Sequence, residues 1–314
     1  MPFLPALAQH PVERGRPLAG AVWILLIGWF LILSGCTAES SDKAANDGPP
    51  PSPLLYEISS DDGAVEGWLL GTIHALPDGT EWRTEQIDSV IAEADYAFVE
   101  VADLDDRENL SSVFAELATT PNLGPLSNRV SPSLRSTLAE IVERSDISER
   151  DFLSTESWAA AIMLAQVDAD GRSENGVDRA IIRDFDDRGV RGFETGRGQL
   201  SIFDELAPQD QIDLLEGVVR AWDEGRADRG KLRRAWLAGD LDTLEEATNS
   251  GILADPELRE ALLVGRNQSW FAQLTYALRR EERPLVAVGA AHLVGPDGLP
   301  AMLETQGFNV RRLH

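Results

Sequence analysis

The chain has 314 residues, 43% hydrophobic and 26% charged, and its 53 acidic against 28 basic side chains leave a formal charge of −25. That balance argues against a nucleic-acid partner, whose phosphates need clustered Lys and Arg, and against peripheral binding to anionic lipid. Cys36 is the only cysteine, which excludes a disulfide framework, a zinc–cysteine site and a cysteine nucleophile from the domain, so any metal must take nitrogen and oxygen ligands.

In chain order, Arg14 and Arg16 precede an apolar run over 18–33 that ends in Leu33-Ser34-Gly35-Cys36. A charged start, an apolar middle and a small-residue end make a secretory signal. The last four residues resemble a bacterial lipobox, with Cys36 lipid-modified and the new N-terminus. The alternative is an uncleaved anchor helix with an incidental cysteine, although the run is short of the ~20 residues a span needs. Residues 1–36 are therefore expected to be a lipoprotein leader. Residues 37–53, polar and proline-rich, are expected to be a flexible tether, and 54–314 one α/β domain. The expected location is the bacterial cell envelope. Thr37 carries no aspartate-type retention signal, which makes the periplasmic face of the outer membrane the default, with the lipid on Cys36 as the membrane attachment.

Within the domain, 54–58 and 66–70 flank the turn-rich Ser59-Ser60-Asp61-Asp62-Gly63 and read as a hairpin. Its second strand delivers Gly71-Thr72-Ile73-His74. Residues 84–94 read as a helix, with Thr84 as N-cap and Ile87, Val90 and Ile91 on one face. Residues 96–101 form a short apolar strand with Glu100 near its end. Residues 103–185 read as a helical insertion covering one side of the sheet as a lid, with helices near 110–118, 132–144, 158–166 and 177–187 and Ser131 capping before Pro132. A strand at 189–195 ends in the carboxylate of Glu194. Helices are expected at 208–222, 229–237 and 256–280. A strand at 285–288 then leads into Gly289-Ala290-Ala291-His292, followed by a helix at 299–306 and a strand at 308–312. The fold class is α/β: a mixed central sheet flanked by helices, with the helical insertion forming a lid.

The matched Gly-x-x-His segments carry the chemistry. His74, Glu100, Glu194 and His292 each stand at or just beyond the carboxyl end of a strand, where open α/β sheets collect their ligands. If the strands share a sheet, two imidazoles and one or two carboxylates can hold Mn, Co, Fe or Zn, with a bound water of lowered pKa and a spare carboxylate as base. Each residue also has a plainer reading: a strand-end His can be structural, and a strand-end Glu can cap the next helix. Arg266-Asn267 lies on a helix whose core positions are Leu262, Leu263, Trp270 and Leu274, so a solvated Arg and a surface Asn suffice. Asp178 at a helix start reads as an N-cap. Trp158, Trp222, Trp236 and Trp270 read as core. No contiguous His-Glu-x-x-His is present, which excludes a thermolysin-type site.

Taken together, several segments resemble the TraB/GumN family, whose animal relatives are the Tiki membrane-anchored metalloproteases. They are Leu70-Gly71-Thr72-Ile73-His74, Phe98-Val99-Glu100, Gly176-Val177-Asp178, and Phe193-Glu194-Thr195 with Gln199. Trp236 with Gly239-Asp240, Arg266-Asn267-Gln268-Ser269-Trp270, and Val288-Gly289-Ala290-Ala291-His292 with Gly298-Leu299 complete the set. Ala291 departs from the family, where Gly is common before the second His. The resemblance implies an α/β fold related to erythromycin esterase and ChaN-like proteins. It implies a divalent metal, Mn or Co before Zn or Fe, on His74, Glu100 and His292. It also implies supporting roles for Glu194, Arg266 and Asn267, with Arg266 stabilising an oxyanion, and cleavage of a peptide or protein substrate. Two other readings stand beside it. One is a binding module that sequesters a peptide signal, haem or a metal without turnover. The other is a metal-independent esterase-type hydrolase with His74 as base beside Glu100.

Overall fold

The structure is a computed structural model describing residues 50–314. The expected leader, the lipidation site Cys36 and all but the last four residues of the tether lie outside the described residues. Among the described residues, no helix is long and apolar enough to cross a membrane.

Six strands form one mixed sheet: β1 (Leu55–Ser59), β2 (Val65–Thr72), β3 (Tyr96–Val101), β4 (Val190–Glu194), β5 (Pro284–Gly289) and β6 (Asn309–Leu313). Their spatial order is β4-β3-β5-β2-β1-β6. β4, β3, β5 and β2 run parallel, whereas β1 pairs antiparallel with both β2 and β6. β3 and β5 are buried along their whole length, as the unbroken apolar run Leu285-Val286-Ala287-Val288 requires of a strand covered on both faces. β5 comes last of the parallel strands in the chain yet inserts between β2 and β3. Both Gly-x-x-His strands are thereby adjacent, with the Glu100 strand beside them.

The register sets the level of the site. Thr72 pairs with Gly289, and Val101 with Glu194, so the carboxyl ends of the four parallel strands lie close to one line.

Among the described residues, twelve α-helices accompany the sheet. The first five are α1 (Glu85–Glu93), α2 (Arg107–Leu117), α3 (Arg135–Arg144), α4 (Ser157–Leu164) and α5 (Val177–Asp184). Then come α6 (Gly196–Asp204), α7 (Pro208–Glu224), α8 (Lys231–Ala238), α9 (Leu241–Thr248), α10 (Pro256–Arg259), α11 (Gly265–Ala277) and α12 (Leu299–Thr305). Thr84 caps α1 as expected, its hydroxyl accepting from the Ile87 N–H. Ser131 stands at the expected N-cap of a 3₁₀ turn, but its hydroxyl makes no cap bond; its backbone N–H instead donates to Glu216 Oε1 at 2.6 Å.

Two apolar cores result. One packs around the sheet, with α5 on β3 and β5 and α12 against β6. The second lies among the helices: α2, α3 and α4 of the insertion share it with α6, α7 and the apolar residues of 252–263, around Trp158 and Trp222.

Three differences from the sequence reading stand out. α6 starts directly after Glu194 and was not expected, because Gly196 and Gly198 occupy its first turn and glycine disfavours helix. α9 was also missed, although Asp240 caps it by accepting from the Thr243 N–H. The single helix expected over 256–280 is α10, a π-helical turn at Glu260–Val264, and α11.

Candidate functional site

His74 lies two residues beyond β2, and its orientation comes from the start of α5. Its Nδ1 stands 2.6 Å from Asp178 Oδ2, while Thr72 Oγ1 donates to Asp178 Oδ1 at 2.6 Å. The Val177 N–H donates to the Ile73 carbonyl at 2.9 Å, drawing α5 onto the segment. Gly176 permits that approach, since a Cβ there would sit 2.4 Å from the His74 carbonyl oxygen. The N-cap reading of Asp178 is therefore corrected. The capping residue is Gly176, and Asp178 is a buried carboxylate whose Oδ2 faces His74 Nδ1, so that in the neutral ring the proton sits on Nδ1 and Nε2 is bare.

His292 is set in the same way by other groups. Asn267 Nδ2 donates to the Asp297 carbonyl at 2.7 Å, which fixes the amide and turns Oδ1 toward His292 Nδ1 at 2.6 Å. That nitrogen must carry the proton, so the bare Nε2 again faces inward. It stands 3.8 Å from Glu100 Oε1 and 3.4 Å from Arg266 Nη1. The plainer reading of Arg266-Asn267 as solvated does not hold, because both are buried.

Glu100 sits between the rings. Its Oε1 accepts the Gly289 N–H at 2.8 Å, and its Oε2 accepts from Arg266 Nη2 at 2.7 Å and from Gln199 Nε2 at 3.3 Å. Arg266 also grips Glu194 through Nε and Nη2, each at 3.0 Å, and donates from Nη1 to the Leu262 carbonyl at 3.4 Å. The Trp270 indole donates to Glu194 Oε1 at 2.8 Å. Each Arg266 nitrogen thus already faces an acceptor in the protein. In this arrangement Arg266 is a clamp on two carboxylates and offers no free donor to an oxyanion.

Burial would raise the Glu100 carboxyl, but the Arg266 guanidinium, the two imidazoles and the Gly289 N–H outweigh it and hold it down to about 2. Burial pushes His292 down to about 3, so this ring is neutral. His74 goes the other way: burial lowers it, but the Asp178 charge and hydrogen bond, with Glu100 behind, leave it raised. The rings also differ in access, with side-chain exposure of 21% for His74 and 5% for His292.

The groups converge at Gly289. A Cβ on that residue would meet Glu100 Oε1 at 3.1 Å, His292 Cδ2 at 3.6 Å and His74 Nε2 at 3.6 Å. This donor set suits a divalent ion in kind: two bare Nε2 atoms, each with an acceptor behind its Nδ1, and an ionised carboxylate. It is not drawn into a coordination shell, since no group of three or more His, Asp or Glu side chains among the described residues stands at ligand spacing.

Two cavities open on this cluster. A pocket open to solvent, with a cavity volume of about 60 Å³, reaches His74, Arg266 and His292 from one side. A cavity of about 10 Å³ reaches His74, Glu100, Asp178 and Gln199 from the other. The cover over the strand ends is accordingly shared. The insertion closes the smaller cavity through Leu104 and Asp178, and residues 232–263 wall the larger one.

All six expected residues, His74, Glu100, Glu194, Arg266, Asn267 and His292, come together. Sequence reasoning missed the roles of Asp178, Thr72, Gln199 and the Trp270 indole. All four stood in segments already singled out: Gly176-Val177-Asp178, Leu70-Gly71-Thr72-Ile73-His74, Phe193-Glu194-Thr195 with Gln199, and Arg266-Asn267-Gln268-Ser269-Trp270.

Comparison with known proteins bears on the same region. The sequence model of the TraB/PrgY/gumN family matches residues 54–312. The uncharacterized protein YbaP of Escherichia coli (strain K12) is 24% identical over 247 residues, covering 75% of this chain and 86% of YbaP. YbaP of Shigella flexneri matches to the same extent. No solved structure matches significantly.

Proposed function

The chain belongs to the TraB/PrgY/gumN family, and from that premise we propose that it is a metal-dependent hydrolase that cleaves peptide bonds. The observation that carries this reading is the pair of bare Nε2 atoms, His74 and His292, flanking the ionised Glu100 at Gly289. His74, Glu100 and His292 would hold a divalent ion, Mn or Co before Zn or Fe, which when bound would polarise the carbonyl and acidify water.

The chain's own groups supply the remaining steps. Asp178 holds His74 through Nδ1 so that Nε2 faces the ion's place, and Glu194, the carboxylate outside that donor set, takes the proton from water. The same carboxylate returns the proton to the departing amine, so water's oxygen ends on the acyl carbon and the C–N bond is broken. Arg266 keeps Glu100 and Glu194 ionised and in place. His292 stays neutral and fixed by Asn267, and its Nε2 lone pair, which accepts from Arg266 Nη1 at 3.4 Å in this arrangement, would have to turn from that contact to an ion.

A second reading is favoured by one observation: the His74–Asp178 pair is already a complete general base without any metal. It makes the chain an esterase-type hydrolase. Lipidation at Cys36 would place either activity at the envelope surface.

The test is mass-spectrometric detection of cleavage of capped peptides by the full chain with Mn or Co, beside His74→Ala and His292→Ala. Loss of activity in both variants is expected. Full activity after exhaustive chelation selects the second reading, and metal-dependent cleavage surviving in His292→Ala rejects the first.

A further inference from the structure

The larger pocket has a polar end and an apolar body. His74, Arg266 and His292 form its inner end, whereas Leu232, Trp236, Leu244, Ile252, Leu262 and Leu263 make up most of the walls. These walls come from four pieces of one stretch of chain: α8, α9, the 3₁₀ turn Gly251–Ala254 and, after α10, the π-helical turn Glu260–Val264. Their attachment to the site is direct. The Trp236 indole N–H is spent on the Gly71 carbonyl at 2.8 Å, so Trp236 offers the pocket an apolar surface and no free donor. The π turn runs straight into Arg266, which donates back to the Leu262 carbonyl; such turns in helices recur at functional sites.

Charge narrows the occupant. No Asp or Glu lines this pocket, although acidic residues outnumber basic ones nearly two to one in the chain. Its cavity volume of about 60 Å³, open at the mouth, is on the scale of one side chain, and like small-ligand pockets it is mostly apolar with a few polar groups fixing orientation. The mouth is open, with Ser250 exposed and Leu232 half-buried.

We infer that this pocket is the specificity site for a bulky aliphatic or aromatic side chain of a peptide, seated so that the neighbouring peptide bond lies at the His74–His292 end. The inference rests on the hydrolase reading for the reacting end, while the apolar body stands on its own lining. An acidic side chain would lose its hydration there with no cation free to receive it, because Arg266 is already clamped between Glu100 and Glu194.

The experiment is calorimetric titration of the full chain with two capped alanine hexapeptides, one with leucine and phenylalanine at its centre, the other with aspartate and serine. The apolar peptide is expected to bind and the acidic one not. Leu232→Glu, at the half-buried rim where the fold tolerates change, is expected to weaken the apolar peptide about tenfold or more, and Leu232→Ala less. Equal binding of the two peptides, binding of neither, or unchanged affinity in Leu232→Glu with an unchanged melting temperature overturns the inference. Mass spectrometry of the same mixtures with Mn or Co separates the two levels. Cleavage without apolar preference overturns this inference and leaves the hydrolase reading standing. Tight apolar binding with no cleavage supports this inference and rejects the hydrolase reading.

Discussion

Asp178 is the residue on which the orientation of His74 depends, because it joins Thr72 and His74 across more than a hundred positions of chain. Asp178→Asn keeps the shape but loses the fixed acceptor charge, and Co²⁺ affinity, read from its absorption bands, is expected to fall about 10–100-fold. An unchanged affinity would show that His74 orients itself. Gly289→Ala tests the convergence point: its Cβ would enter among Glu100, His292 and His74, so metal binding should be lost. The obstructing atoms belong to side chains, so the melting temperature should move much less than it does for Gly176→Ala, whose Cβ meets backbone. His292 also makes a pH prediction for the metal-free chain. Its folded value lies at about 3, below the ordinary 6.5, so the unfolded chain takes up a proton in that window that the native ring refuses. The resulting stability is complete above 6.5 and is lost as pH falls toward about 3. Glu100 acts in the same direction between 4.5 and about 2, and His74, raised, acts in the opposite one. Urea midpoints measured across that window should show a shallower slope in His292→Gln than in the native chain; equal slopes contradict the assignment.

At the level of elements, Arg266 ties α11 to the ends of β3 and β4 through Glu100 and Glu194. Arg266→Met leaves the buried Glu100 and the half-buried Glu194 uncompensated, and loss of one partner from a buried ion network costs about 3–5 kcal/mol. Adding Glu194→Gln to that variant should recover part of the loss, which chemical denaturation would measure; no recovery would mean that the guanidinium acts mainly by packing on Trp270. How much of this could be read from sequence depends on how local each signal is. The four strand ends were legible, because His74, Glu100 and His292 each follow an apolar run and Glu194 follows a short strand between Gly189 and Phe193. The burial of Arg266 and Asn267 was not, since a lone polar pair on a helix shows nothing of the sheet edge it faces. Asp178 was misread for the same reason: a helix start invites a capping role, and its true partner lies on β2. The π turn at Glu260–Val264 was hidden inside a continuous helical pattern, and its extra residue changes which faces Leu262, Leu263 and Arg266 present.

At the scale of the whole molecule, the crossing of β5 between β2 and β3 is what turns two distant Gly-x-x-His segments into one site. No short-range pattern encodes that crossing; it follows from the last parallel strand filling the slot between β2 and β3. The second, helical core then supports the pocket wall opposite the strand ends, through residues such as Ile252, Leu262 and Leu263 that belong to both. The central claim is that His74 and His292, brought together by this topology, serve one ion. Its most direct test is the metal content of the full chain purified without chelator and replenished with Mn or Co, beside His74→Ala and His292→Ala. The account predicts near-stoichiometric metal in the native chain and loss from both variants. Metal absent from the native chain, or retained after removal of either histidine, would contradict it.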